Sequence, residues 1–167
     1  DSEVSDGLRK ALIKQGIKIH VGTRVTSTEI GETNVRLALE PRGGAVEAET
    51  LLVAIGVQPV LPDGIRPELT DRGYIKVDEF YRTNLPGVSA AGDIIGPPWL
   101  AHVASREATQ AVEAMFDGRR PPRPLRVVPS CTYCQPQVAS VGVTEREAKE
   151  RGLAFRVGRF PFLASGK

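Results

Sequence analysis

The sequence predicts an α/β fold that passes into an α+β arrangement at its C-terminal end. Three observations carry this. Up to residue 55, one helical period is followed by alternating β patterns and by the unbroken apolar run Leu51-Leu52-Val53-Ala54-Ile55, the form of a strand buried on both faces. Thr83 to Asp93 reads as a turn, a short buried strand of small residues and one acid, followed by the long Ala- and Glu-rich pattern 100–117. Beyond the proline-rich residues 119–124, short strands surround one short capped helix.

In order, Val4, Leu8, Leu12 and Ile13 recur at helical spacing, Lys10 and Lys14 fall on the polar side, and Gly16 supplies a stop, so 3–15 is a helix. Ile17, Ile19 and Val21 alternate with Lys18 and His20. The alternation resumes at Val25, Val35, Leu37 and Leu39 on either side of a Gly31-Glu32-Thr33-Asn34 turn. A further strand is expected over 47–55, closed by Gly56. Pro59, Pro62, Gly64 and Pro67 then make a loop or linker, with a domain boundary near 56–62. Tyr74 to Asp78 alternates as a short strand, and 100–117 is the longest helix, halted at Gly118. Arg119 to Pro124 is a second linker. Strands are expected over 126–133 and 137–143, separated by Gln135-Pro136. Thr144 and Glu147 form a capping box for a helix over 145–151, and Phe155, Val157 and Phe160 suggest a last strand.

At 167 residues and 41% hydrophobic content the chain can build one good core or two small ones. Its 22 basic and 20 acidic residues are interspersed and leave a net charge of +2, so no charged face argues for nucleic acid or an anionic membrane. The longest apolar run is far short of the roughly 18 residues of a spanning helix, and Asp1-Ser2-Glu3 does not open a signal peptide. Two cysteines cannot make a disulfide scaffold, and a cytoplasmic location is expected.

The Ser, Ala and Gly of residues 89–92 give up side-chain burial so that another group can approach the backbone, and Gly92 removes the last Cβ before Asp93. Ligands of open α/β sheets lie outside the carboxyl ends of the strands, where Asp93 would sit. A carboxylate suits hydroxyl donors and repels phosphates, so a sugar or polyol is the expected partner. The plainer alternative makes Asp93 the N-cap of a helix packed over the strand. The helix at 100 begins seven residues later, so its free first-turn amides should lie near whatever Asp93 binds and favour negative charge there. His102, with no paired acid or nucleophile, reads as an exposed first-turn residue and not as a general base. Trp99 either walls a ligand or plugs a junction.

The stretch Thr83…Pro86-Gly87…Ala90-Ala91-Gly92-Asp93 resembles the second flavin-binding motif of the pyridine nucleotide-disulfide oxidoreductases. The resemblance implies that Asp93 hydrogen-bonds the ribityl chain of FAD. Leu100-Ala101-His102 resembles the dihydrolipoamide dehydrogenase branch, in which backbone groups of the matching tripeptide hold the pyrimidine edge of the flavin. Residues 52–59 resemble the segment where the family's NAD domain returns to its flavin domain, with Gly56 approaching NAD and Val25 flanking its adenosine. For both, an ordinary turn or core residue is the alternative.

The same resemblance divides the chain into the C-terminal part of an NAD-binding domain (1–57), the central segment of an FAD-binding domain (58–122) and the N-terminal part of an interface domain (123–167). It implies a fragment of a homodimeric flavoenzyme that passes electrons from dihydrolipoyl groups, carried by the acyltransferase (E2) of a 2-oxo acid dehydrogenase complex, through a disulfide and FAD to NAD. No G-x-G-x-x-G occurs, and the family's redox cysteines and His-Pro…Glu pair have no counterpart. No catalytic residue is therefore assigned, and the chain alone is expected to be inactive. Its start inside a helical pattern, without Met, agrees with a piece of something larger. A mercuric or glutathione-type reductase branch, or a noncatalytic FAD-binding or dimerisation module, are the competing readings. Cys131-Thr132-Tyr133-Cys134 invites a redox or metal reading. An extended pattern that turns the two cysteines to opposite faces, with no second pair, argues against it, and no metal site is expected. Cys134 and Gln137 stand where the family usually has threonine and glutamate.

Overall fold

The computed structural model describes residues 1–41, 43–117 and 127–161. The elements run α1 (Ser2–Lys14), β1 (Arg24–Ile30), β2 (Val35–Glu40), β3 (Ala45–Ala48), a 3-10 turn (Asp93–Ile95), α2 (Ala101–Asp117), β4 (Ser130–Thr132), β5 (Val138–Ser140) and α3 (Glu145–Glu150). They fall into two compact units, Arg9–Val57 and Asp1–Leu8 with Gln58–Lys167.

In the unit Arg9–Val57, α1 stops where Gly16 turns to φ 92°. The Gly16 N–H reaches the Ile13 carbonyl at 2.9 Å and the Ile17 N–H reaches Leu12 at 3.1 Å, so the Gly16 turn satisfies the helix's last carbonyls. β1, β2 and β3 form an antiparallel meander in that order. The Gly31 N–H donates to the Asn34 carbonyl across the turn at 2.8 Å, and the Asn34 amide reaches Glu47 across the sheet. Val35, Leu37 and Leu39 of β2 are half-buried, whereas β1 and β3 are exposed along their lengths. One expected strand is absent and one is cut short. Residues 17–21 carry no strand pairing, and the strand expected over 47–55 is paired only at Glu47 and Ala48, within β3, so that 51–55 stay unpaired with Leu52 and Ile55 86% and 95% exposed. An apolar pattern supplies a face, but a strand also needs a hydrogen-bonded neighbour, and no described residue pairs with either run.

The other unit centres on α2. Val103, Gln110 and Ala111 lie on one face of this helix and are buried, as is Ile75. The expected strand Tyr74–Asp78 reduces to a single bridge from Ile75 to Leu69, and the small-residue stretch to a bridge from Ser89 to Arg82. The Ile75 N–H donates to the Ile94 carbonyl at 3.0 Å, tying the two stretches together. β4 and β5 form a short hairpin, narrower than the expected strands, with Cys134 in the bend and not in extended backbone. Residues 153–161 form no strand, so the expectation drawn from Phe155, Val157 and Phe160 fails: the pattern has no partner strand among the described residues. Gly118, Arg119–Pro124 and Arg126 lie outside the described residues. No described helix is long and apolar enough to cross a membrane.

α3 follows its sequence signature closely. The Glu147 N–H donates to Thr144 Oγ1 at 3.2 Å, and Glu147 Oε2 accepts from the Thr144 N–H at 2.9 Å, so two orphan donors are satisfied reciprocally. Those bonds from Thr144, the backbone N–H first and the hydroxyl second, hold the Glu147 carboxyl below its ordinary value of 4.5. A folded-state value below the unfolded one stabilises the helix at pH above 4.5, and that contribution disappears as pH falls through the folded value. Thr144→Ala is expected to cost about 1 kcal/mol of local stability. Amide exchange of residues 146–150 should speed up in the variant at neutral pH, and the difference from the parent should shrink as the pH is lowered past 4.5 and the Glu147 carboxyl protonates.

Candidate functional site

The segment that ends in Asp93 is held against α2 by its backbone. Gly92 is buried and has φ 81° and ψ −158°, a conformation that costs a residue with a Cβ dearly. A Cβ built on it would lie 2.9 Å from the Ala104 Cβ. The Gly92 N–H donates to Glu107 Oε2 at 2.7 Å. The group that approaches this glycine is thus the first turn and a half of α2. The side of residues 88–91 is open instead: a cavity of about 260 Å³ is lined by Val88, Ser89, Ala90, Ala91, Ile75 and Ile94, among others.

Asp93 opens the 3-10 turn and is exposed. The cap of that turn is Gly92, with no side-chain cap bond, so the reading of Asp93 as a helix N-cap does not hold. Its peptide carbonyl accepts from the Gly96 N–H at 3.3 Å, and no described residue bonds its carboxylate. An exposed carboxylate offers up to four lone-pair directions to hydroxyl donors.

Leu100, Ala101 and His102 open α2. The Leu100 carbonyl accepts from the Val103 and Ala104 N–H groups at 3.0 Å each, which leaves the Ala101 and His102 N–H groups as the first-turn donors. His102 is exposed, and its Nε2–H donates to the Pro129 carbonyl at 3.0 Å, which ties the helix start to the stretch entering β4. Trp99 is 42% exposed and rests on Tyr74, with ring centroids 6.2 Å apart and planes at 34°. Gly92, Asp93, Trp99, Leu100, Ala101 and His102 therefore belong to one unit built round α2. Val25 and Gly56 belong to the other. Val25 is half exposed at the β1 bulge opposite Leu39, and Gly56 has φ 137° with nothing within 4 Å of a Cβ placed there. Cys131 and Cys134 are free thiols, and Cys134 Sγ–H donates to the Pro136 carbonyl at 3.0 Å. Among the described residues no group of three metal-ligating side chains occurs.

Three residues escaped the sequence reading. Glu107 holds Gly92. Gln110, 2% exposed, accepts the Tyr81 hydroxyl at 2.9 Å. Tyr81 has φ 62°, a rare backbone state for a bulky side chain, and its carbonyl accepts from the Ala90 N–H at 3.0 Å. Burial, and next the charge of Glu107, push the Tyr81 hydroxyl above its ordinary pKa. The available signal was two polar residues, three apart, on the face of a helix otherwise carrying Val103 and Ala111.

A family model described as pyridine nucleotide-disulphide oxidoreductase matches residues 1–108. A second, described as the dimerisation domain of the same oxidoreductases, matches 128–167. Dihydrolipoyl dehydrogenases of Rhizobium etli and Chlorobaculum tepidum are each 41% identical over the whole chain, which spans 36% and 37% of their lengths. Leghemoglobin reductase of Glycine max is 37% identical over the whole chain, which spans 33% of it. Among solved structures, LpdA from Mycobacterium tuberculosis aligns with 92% of the chain at a TM-score of 0.77 and 28% identity, with 34% of its own length covered. The HOCl-induced flavoprotein disulfide reductase RclA from Escherichia coli shares the fold over 98% of this chain and 38% of its own, at a TM-score of 0.84 and 24% identity.

The glycine contact yields a stability prediction. Gly92→Ala should cost about 1 to 3 kcal/mol, from a Cβ in a positive-φ backbone and its collision with Ala104. Adding Ala104→Gly should recover the collision part once the cost of a glycine inside α2, about 1 kcal/mol and measured in Ala104→Gly alone, is subtracted, and it should leave the backbone part. Denaturant unfolding of the two single variants and the double variant measures the two components.

Proposed function

The chain belongs to the pyridine nucleotide-disulphide oxidoreductase family, and from that membership we propose that the protein it forms part of is a dihydrolipoyl dehydrogenase, acting on the dihydrolipoyl groups of a 2-oxo acid dehydrogenase complex. FAD, when bound, carries electrons between a disulfide and NAD. In this reading residues 1–57 contribute to the NAD-binding domain, 58–122 to the FAD-binding domain and 123–167 to the interface of a homodimer in the cytoplasm. The 41% identity to dihydrolipoyl dehydrogenases over the full chain supports the branch, and the dimerisation-domain match supports the homodimer.

One observation supports the site above all: an exposed carboxylate, with no bond from a described residue, follows a buried glycine fastened to the start of a helix. That donor set fits a flavin's polyol arm. Asp93 accepts ribityl hydroxyls and so anchors the group at its flexible middle. The Ala101 and His102 N–H groups, at the positive end of α2, donate to the pyrimidine edge and favour negative charge there. Trp99, steadied by Tyr74, walls the ring from water. Gly56 gives NAD access to bare backbone, and Val25 supplies apolar contact to its adenosine. This chain's residues bind and orient; its two cysteines sit three apart in the β4–β5 hairpin and do not form the exchanging pair.

In the complete protein, Asp93→Ala should weaken FAD binding by about tenfold to a hundredfold, the value of a charge-assisted hydrogen bond of roughly 1.5 to 3 kcal/mol. Titration of apoprotein with FAD by flavin fluorescence measures it. Unaltered affinity would remove the flavin reading of this site. Lipoamide-dependent NADH formation by the complete protein tests the branch.

A further inference from the structure

We propose that Glu107 is a positioning residue for the flavin: through its bond to the Gly92 N–H it makes α2 set the direction in which Asp93 points. The inference rests on the assignment of Asp93 to the ribityl chain and extends it to a residue two turns along the helix.

The geometry is specific. Gly92 is buried, so its N–H must find an acceptor inside the protein, and Glu107 Oε2 supplies one at 2.7 Å. That N–H belongs to the peptide plane immediately before the φ of Gly92, and the residue lies so close to the helix that a Cβ built on it would come within 2.9 Å of the Ala104 Cβ. The peptide plane that leads into Gly92 is thus tied to α2, and the backbone reaches Asp93 one residue later from that tied plane.

A second tie acts on the same segment from the same helix face. Gln110, one turn beyond Glu107, holds the Tyr81 hydroxyl, and the Tyr81 carbonyl holds the Ala90 N–H. The left-handed backbone at Tyr81 is a strained state that the surrounding bonds must maintain. Residues 90 and 92 are thereby referenced to α2 by two independent bonds. The helix whose first-turn amides would meet the flavin ring is also the ruler against which the ribityl acceptor is placed. A ligand gripped at two points needs those points at a fixed separation, held to within about 0.5 Å by the supporting residues.

The test is made on the complete protein as apoprotein, with FAD as the probe. Glu107→Ala should weaken FAD binding by at least about tenfold, and Tyr81→Phe by less. Glu107→Gln, which keeps an acceptor oxygen, should stay within about threefold of the parent, since the acceptor and not the charge is what positions the peptide. Thermal unfolding of the apoproteins separates the positioning role from a purely structural one: FAD affinity must split Ala from Gln more sharply than unfolding does. If Glu107→Ala fails to fold, Glu107→Asp, which withdraws the carboxylate by one methylene, takes its place with the same expectation. Should Glu107→Ala, or Glu107→Asp in its stead, bind FAD as the parent does while Asp93→Ala is impaired, the positioning role is wrong and the ribityl assignment stands. If Asp93→Ala is also unimpaired, both fall together.

Discussion

The structure around α2 depends on one close approach. Gly92 comes within van der Waals range of Ala104 only because neither residue carries more than a methyl group, and the Glu107 carboxylate then closes the gap with a hydrogen bond of 2.7 Å. The burial of Val103, Gln110 and Ala111 and the placing of the Asp93 turn belong with this contact on one face of the helix. The arrangement is a polar clamp inside an apolar seam. Glu107 Oε2 and Gln110 Oε1 each accept one bond from the neighbouring segment, and such bonded polar groups help define one backbone path instead of several.

Much of this was legible in the residues, and what was legible was local. α1 with its Gly16 stop, α2 and the Thr144–Glu147 capping box depend on interactions spanning five residues or fewer, so spacing and caps suffice to place them. The Gly31–Asn34 turn is local in the same way. The strands were harder. Ile17–Val21 and Leu51–Ile55 have the right periodicity, yet a strand is a relation between two segments and the described residues pair neither. Tyr74–Asp78 and Val88–Ala91 came out as single bridges for the same reason.

The site shows the same division. A bare stretch before Asp93 announced that something approaches the backbone, and something does. Composition could not say that the neighbour on the Gly92 side is a helix of the same chain, because that requires knowing which turn of α2 faces residue 92. Glu107 and Gln110 looked like ordinary solvated helix residues until their face was known. For Trp99 the structure supplies Tyr74 as its support, a pairing across 25 positions that no motif encodes.

The bare stretch Leu51 to Ile55 has a practical side. Leu52, Val53 and Ile55 are 86%, 66% and 95% exposed, without an intervening charge or proline. Five uncharged residues, four of them large aliphatics and two of those β-branched, with backbone groups that no described residue pairs form a template on which another copy's identical run can stack in register. Turbidity and thioflavin response rising with protein concentration are therefore the behaviour to watch for when this polypeptide is handled alone, and a lysine introduced at Val53 would act as a gatekeeper against it.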